Sequence, residues 1–110
     1  MKSNELIHLG SRKNIPPDRI LMLKSDTNYT IIYLDDGSRI LSSTTLGIIE
    51  KRLEGFDFFR THRSTIINLR FVSNYERIKQ TSELLRIFLK NKEEVPLSRR
   101  KTIAFLKIME

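Results

Sequence analysis

Three short apolar segments separated by turn residues limit the fold of this chain more than any other feature. Residues 19–24 precede the polar residues 26–28, and Tyr29–Leu34 lies between these and a second polar stretch at 35–37. Residues 39–41 resume the apolar pattern. β-branched and aromatic residues favour strands, and an Asp-Gly pair favours a tight hairpin turn because glycine accepts a positive φ. The pattern therefore predicts three antiparallel strands joined by two hairpins.

The spacing of the apolar residues changes after the third strand. Three of them share one face of a helix, at the positions Leu46, Ile49 and Leu53. Ser43 or Thr44 is expected to cap the start of this helix, and Gly55 lies where a glycine commonly follows a helix. We therefore predict a helix over residues 45–54.

Short strands are also predicted in the second half of the chain. They cover residues 72–79, 84–90 and 93–97, with polar turns at 80–83 and 91–92. From Ser98 onward the spacing indicates a helix whose core-facing residues are Ile103, Leu106 and Met109. The fold class expected from these elements is mainly β, with antiparallel sheets and one or two short helices.

Length and composition narrow the class of protein. A chain of 110 residues suits one domain, which we place at residues 18–110. Residues 1–17 are predicted to form a leader that ends at Pro16-Pro17 and contains one short strand with the apolar residues Leu6, Ile7 and Leu9. The sequence has no apolar run that could cross a membrane and no signal peptide, so we expect a cytoplasmic protein without a membrane partner. It also has no cysteine, and we expect neither a metal nor a cofactor.

The charge balance favours a polyanionic partner. Twenty lysine and arginine residues against 13 aspartate and glutamate residues give a formal net charge of +7, with an isoelectric point near 10.0. Nucleic acid is the first candidate partner, followed by an acidic protein or an anionic surface. Composition alone does not establish nucleic acid as the partner, because many small basic domains bind no nucleic acid.

Two basic segments are candidates for contacts with nucleic acid. In residues 59–68, Arg63 can offer guanine a planar fork of donors, while a solvated basic turn with His62 held inside the fold explains the segment equally well. After Ser98, three cations occupy the first turn of the predicted helix, against the helix dipole: Arg99, Arg100 and Lys101. A phosphate near that turn would offset this cost, so function is favoured there over cations that merely extend into solvent.

The third candidate is the polar loop at residues 26–29. Asn28 can pair with adenine through two hydrogen bonds, although an ordinary turn is the stronger interpretation of this loop on its own. Enzymatic activity is the least favoured class. Ser64 and His62 lie outside any nucleophile elbow, the two aspartates before Gly37 are explained by the hairpin, and no glycine-rich phosphate loop occurs.

The run FFRTHRSTIINLRFV resembles the signature of LytTR-type DNA-binding domains. The segments ILMLKSDTNYTIIYLDDG, a helix around Leu46, and VPLSRRKTIAFL follow in the order of that family, so the resemblance covers about residues 18–108. It implies an elongated, mainly β fold and a bacterial transcription regulator of the response-regulator output class that binds double-stranded DNA. It also implies that loops enter successive major grooves, and it is compatible with a homodimer on repeated sites.

Residue-by-residue matching to the family assigns the DNA contacts. The base contacts implied by the resemblance are Asn28, Arg63 and Arg100. The added candidates for contacts with the DNA backbone are Tyr29, His62, Ser64, Arg99 and Lys101. Many family members carry an N-terminal receiver domain, whereas the match begins about 17 residues into this chain. We therefore expect a stand-alone regulator, or one whose input comes from another protein.

Two alternatives remain open at this stage. A β module that binds RNA or single strands would need exposed aromatic residues for stacking, for which the candidates are Tyr29, Tyr33 and Tyr75. A protein-interaction module would instead bind an acidic partner, with the basic surface as its docking face. A preference for single strands would indicate the first alternative, and binding to an acidic protein without DNA binding would indicate the second.

Overall fold

The structure, a computed structural model, describes residues 6–10, 14–77 and 85–110. Its largest sheet has five antiparallel strands. These strands are β3 (Ile20–Asp26), β4 (Tyr29–Leu34), β5 (Arg39–Ser42), β6 (Phe58–His62) and β7 (Thr65–Asn68). Their order across the sheet is β5-β4-β3-β7-β6. The three strands predicted in the first half and their two hairpin connections are confirmed.

The central strands of this sheet are buried on both faces. Along β3, Ile20 and Leu23 pack into one apolar core and Leu21 and Met22 into the other. The continuous apolar run at the start of β3 follows from this arrangement, because a strand covered on both sides has no solvent-facing position.

The first face of the sheet is covered by helix α1 (Leu46–Arg52) and by two short paired strands, β1 (Ile7–His8) and β2 (Asn14–Ile15). The predicted apolar face of α1 is confirmed, since Leu46, Ile49 and Leu53 are buried. The predicted cap is wrong: the helix is capped by Thr45, whose hydroxyl accepts a hydrogen bond from the backbone N–H of Ile48.

The second face is covered by a three-stranded antiparallel sheet and by helix α2 (Thr102–Met109). The strands of this sheet are β8 (Val72–Arg77), β9 (Leu85–Leu89) and β10 (Glu94–Val95). Short 3-10 helices at Pro17–Arg19, Leu69–Phe71 and Arg99–Lys101 complete the elements of the described residues.

The predicted inner face of the last helix needs correction. Ile103 is 69% exposed, whereas Phe105 is fully buried at the centre of the second core. Leu106 and Met109 are partly buried against the same core, as expected. The sequence pattern thus identified the helix but misplaced one of its core positions.

The mainly β fold class is confirmed, and the molecule extends 45 × 34 × 24 Å. The predicted turn at 80–83 and the end of the predicted strand at 72–79 lie outside the described residues. The boundary between a leader at 1–17 and a domain at 18–110 stays a prediction. Two leader residues, Ile7 and Leu9, are buried in the first core.

Candidate nucleic-acid interface

Two hairpin tips lie at the same end of the five-stranded sheet. Strand β3 leads up to the tip formed by Thr27 and Asn28, and β7 leads away from the tip formed by Arg63 and Ser64. Near this end Lys24 of β3 pairs with Thr65 of β7. The register therefore places both tips side by side.

One hydrogen bond fixes the two tips to each other. The backbone N–H of Ser25, just before the first tip, donates to the carbonyl oxygen of Ser64 in the second tip at 2.9 Å. The relative position of the two tips is thus set by main-chain contacts, which persist whatever side chains the tips carry.

A β-bulge brings the basic segment at residues 98–101 to the same place. The register of β6 and β7 shifts between Arg60 and His62, which leaves Thr61 as the extra residue of the bulge. The carbonyl oxygen of Thr61 accepts a hydrogen bond from the backbone N–H of Ser98 at 2.7 Å. This bond fixes the start of the 3-10 helix Arg99–Lys101 beside β6.

Helix α1, strand β6, the Arg63 tip and the segment at 98–101 line a concavity with a volume of about 560 Å³. We call this concavity the basic groove. Its lining residues are Glu50, Arg60, His62, Arg63, Ser98, Arg100 and Lys101. Four of the predicted contact residues therefore line one groove: His62, Arg63, Arg100 and Lys101. Asn28 and Tyr29 belong to the neighbouring hairpin and do not line the groove.

Arg63 and Arg100 have the exposure that a ligand contact requires. Both are exposed, and neither forms an ion pair with any other described residue. A guanidinium held at the surface without an acid partner keeps its donors available to a phosphate or a base edge.

The basic segment at residues 98–101 has a different local structure from the one predicted. Ser98 precedes the 3-10 helix without a side-chain capping bond, and α2 begins only after Lys101. The three cations therefore occupy a separate 3-10 turn and not the first turn of the α-helix. The ammonium group of Lys101 lies 5.7 Å from the centre of the Phe59 ring, a cation–π distance that ties this turn to β6.

His62 and Ser64 hold the second tip together. The Nδ1 atom of His62 lies 2.9 Å from the Ser64 hydroxyl and accepts the Ser64 backbone N–H at 3.2 Å. Because Nδ1 is the acceptor, the ring proton of neutral His62 lies on Nε2. Both side chains thus serve the turn. The Ser64 hydroxyl also lies 3.2 Å from the Thr65 hydroxyl, and Nε2–H is the His62 donor that the turn does not use.

The first tip is more exposed and more strained. Thr27 has a φ of +58°, which is uncommon for a β-branched residue. No described residue donates a hydrogen bond to the Asn28 side chain or accepts one from it, and Tyr29 is 50% exposed. At this tip the Thr27 hydroxyl donates a hydrogen bond to the Asp26 carboxylate at 3.3 Å. The ordinary Asx turn that explained Asn28 from sequence is therefore not what holds its side chain.

The opposite end of the sheet carries acidic groups with partners. Arg19 forms ion pairs with Asp35 and Asp36, and Arg70 pairs with Asp57 at 2.9 Å. The pKa of Asp36 is lowered, mainly because its carboxylate accepts hydrogen bonds from the side chain and backbone of Ser38 and also faces Arg19. These three acidic residues are thus paired with arginines, whereas Arg63 and Arg100 at the groove end have no acid partner among the described residues.

Sequence reasoning missed two residues of the groove, Glu50 and Arg60. The Arg60 guanidinium donates to the Glu50 carboxylate at 2.7 Å and also bonds to two carbonyl oxygens of the second tip. Arg60 stands in the recognised FFRTHR run, whereas Glu50 had no signal, because its partner lies ten residues away across a helix-to-strand connection.

Other kinds of site find no support among the described residues. They contain no cluster of three or more histidine, aspartate or glutamate side chains placed to hold a metal ion. None of their helices is long and apolar enough to cross a membrane.

A mainly β module with a basic groove lined by two of the predicted loops, and with the third loop on the neighbouring hairpin, belongs to a class suited to polyanionic ligands. A family model described as the LytTr DNA-binding domain matches residues 10–110. The chain therefore belongs to the LytTR family of DNA-binding domains, a family defined by binding and not by an enzymatic activity.

A solved structure shows the same fold. It is described as the LytTr DNA-binding domain of a methyl-accepting/DNA response regulator from Bacillus cereus, and it superposes with a TM-score of 0.78 at 20% sequence identity. The match covers 97% of this chain and 98% of that chain. No curated protein matches the sequence.

Proposed function

We propose that this DNA-binding domain recognises a specific sequence in double-stranded DNA through loops that enter the major groove, and that it acts as a bacterial transcription regulator. The observation that carries the proposal is the convergence of three separate loops at one end of the molecule. Two of these loops present an exposed arginine that has no acid partner among the described residues.

In this proposal Asn28, Arg63 and Arg100 contact base edges. Arginine can donate two bonds to guanine O6 and N7, and asparagine can pair in the same way with adenine N6 and N7. A two-stranded hairpin fits the major groove of B-form DNA, which is about 12 Å wide. The paired tips at residues 27–28 and 63–64 are hairpins of this kind.

The DNA backbone is contacted by the remaining predicted residues: Tyr29, His62, Ser64, Arg99 and Lys101. For His62 the available donor is Nε2–H, because Nδ1 is bound within the turn. Such contacts set the position of the domain on the duplex, while base contacts set the sequence. A homodimer on repeated half-sites remains part of the proposal and would double both sets of contacts.

The alternative of a single-strand binder is less well supported by the aromatic residues. Tyr33 is half-buried beneath the Lys24 ammonium, and Tyr75 packs edge-on against Phe105 with the ring centres 5.3 Å apart. Only Tyr29 of the three candidates is exposed. Successive bases need several exposed rings, so one tyrosine is a poor stacking platform.

The test is selection of binders from a pool of randomised duplex DNA. The winner and a scrambled duplex are then titrated by fluorescence anisotropy at two salt concentrations, with the single strand of the winner as a third ligand. A defined motif bound about a thousandfold more tightly than the scrambled duplex would support sequence-specific recognition. Equal binding to both duplexes would reduce the function to charge attraction, and tighter binding of the single strand would favour the alternative.

A further inference from the structure

We propose that Arg60 and Glu50 form a positioning pair that holds the Arg63 tip in the conformation required for sequence recognition. Neither residue is assigned a contact with DNA. The pair acts through the second hairpin tip, so this inference rests on the proposed function. It concerns how the tip is shaped and not which bases it contacts.

The Arg60 side chain makes three contacts at once. Its Nη1 atom lies 2.7 Å from the Glu50 carboxylate, its Nε donates to the carbonyl oxygen of His62 at 3.3 Å, and its Nη2 donates to the carbonyl oxygen of Arg63. The planar fork of a guanidinium has donors in the directions needed for all three contacts, which a lysine ammonium on its flexible chain does not reproduce.

The contacted carbonyl groups lie where the pairing of β6 ends. The bulge at Thr61 interrupts the ladder, His62 is the last paired residue of β6, and Arg63 lies beyond it. Arg60 binds both of them from within β6, and Glu50 fixes Arg60 from helix α1. The tip is thereby connected to helix α1, which packs on the first face of the sheet.

The burial of the pair agrees with a positioning role. The Arg60 side chain is 22% exposed and that of Glu50 44%, so the guanidinium is mostly shielded while the carboxylate borders the groove. Glu50 is also an acid in a groove that otherwise presents cations. An acid at such a place weakens the attraction of any polyanion, so its presence calls for a structural reason.

This conflict of charge yields a test in which the two interpretations predict opposite signs. If Glu50 acts only as a charge, Glu50→Gln removes a repulsion and tightens binding to every duplex. If Glu50 positions the tip, Glu50→Gln weakens binding to the selected duplex, by roughly the tenfold that corresponds to 1.4 kcal/mol, while the scrambled duplex binds as tightly as before or more tightly. Arg60→Lys, which keeps the net charge, is expected to lower affinity for the selected duplex alone.

The chain provides a matched control in Asp57→Asn. Asp57 forms a surface ion pair with Arg70 at 2.9 Å, at the opposite end of the sheet, so the variant makes the same change of charge away from the groove. It is expected to leave the ratio of the two affinities unchanged. Thermal melting of all variants checks that each is folded before titration.

A second measurement does not depend on DNA at all. Backbone order parameters from nuclear magnetic resonance report the motion of the Arg63 and Ser64 amides, with values of about 0.85 for rigid and below about 0.6 for flexible backbone. A fall at these two amides in Glu50→Gln and Arg60→Lys, but not in Asp57→Asn, is the expected result.

Unchanged order parameters at the tip in both variants would overturn the inference, as would equal tightening of both duplexes by Glu50→Gln. Failure of the wild-type chain to distinguish the two duplexes would instead count against the proposed function. In that case the order parameters alone still decide whether Arg60 and Glu50 hold the tip.

Discussion

Arg63 and Arg100 present similar guanidinium groups on different supports. Arg63 lies at a hairpin tip whose carbonyl oxygen is bound by Arg60, and Arg100 lies in the middle of a single 3-10 turn. The support decides how well a base contact can discriminate, because a side chain on a fixed backbone has fewer ways to accommodate a wrong base. We therefore expect both arginines to read sequence, with each affecting a separate position of the DNA site.

The first prediction concerns these two residues. Arg63→Ala and Arg100→Ala should each weaken binding to the selected duplex by about 1–3 kcal/mol and relax preference at one local position. Anisotropy titrations against single-base variants of the site measure both effects. Arg70→Ala, at the opposite end of the sheet, is the control and should change neither. A uniform loss on all duplexes would show that the arginines contact phosphate only.

A second prediction tests the aromatic support beneath the groove. The rings of Phe59 and Phe105 pack with centres 5.8 Å apart, and the same Phe59 ring faces the Lys101 ammonium. Phe59→Ala should therefore lower the free energy of unfolding by about 3–5 kcal/mol, as measured by urea denaturation. Ile103→Ala is the comparison, since its 69% exposure limits the expected loss to about 0.5 kcal/mol. Similar values for the two variants would mean that Phe59 is not part of the core.

The misplaced core position in α2 has a physical origin. Within α2, Thr102 and Phe105 are buried, and Leu106 and Met109 pack against the same core. This is the i, i+3, i+4, i+7 spacing of one face of an α-helix. Ile103 lies about 100° around the helix from Thr102 and therefore falls outside that face. A pattern of apolar residues does not identify this face, because the face begins with a threonine.

At the scale of elements, the three hairpin strands were predictable and the groove was not. The hairpins follow from neighbouring residues, such as the Asp-Gly turn at Gly37, whose φ is +91°. The groove depends on contacts between distant segments, of which Ser98 to Thr61 and Glu50 to Arg60 are the decisive ones. Residue chemistry selected the three loops, but only tertiary contacts bring them to one end.

The first hairpin provides a third prediction through its strained residue. Thr27 has a φ of +58°, a conformation that costs an ordinary residue roughly 1–2 kcal/mol and that asparagine tolerates better. Thr27→Asn should therefore raise the free energy of unfolding by about 0.5–1 kcal/mol. Thr27→Ser, which removes the branching methyl group and keeps the hydroxyl, is the control. A loss of stability in Thr27→Asn would show that the contact with Asp26 outweighs the backbone strain.

The hairpin between β4 and β5 has a pH dependence of defined sign. The pKa of Asp36 is lowered in the folded chain, chiefly by the Ser38 side chain, so its ionised form stabilises the hairpin. That contribution is complete above the ordinary pKa of 3.8 and is lost as the pH falls through the lowered value. Asp36→Asn should thus be less stable than the wild type at neutral pH, and the difference should vanish in acid. Melting temperatures measured from neutral to acid pH would show this, and a difference that grows in acid would contradict it.

At the scale of the whole molecule, charge is divided between two ends. Asp35, Asp36 and Asp57 are paired with Arg19 and Arg70 at one end, while the basic groove lies at the other. In the groove, Arg63, Arg100 and Lys101 have no acid partner among the described residues, so their positive charge is not offset by an ion pair. A polyanion approaching the domain is attracted to the groove end first.

This division predicts how salt should affect binding. Each cation that neutralises a phosphate adds about 0.9 to the steepness with which log affinity falls against log salt concentration. Lys101→Gln should accordingly reduce that slope by about 1 on the selected and the scrambled duplex alike, because a phosphate contact is independent of sequence. Arg70→Gln changes the net charge by the same amount at the other end and should leave the slope unchanged. If both variants reduced the slope equally, attraction would depend on the total charge of the domain. That result would contradict the proposal that the groove is the surface that binds DNA.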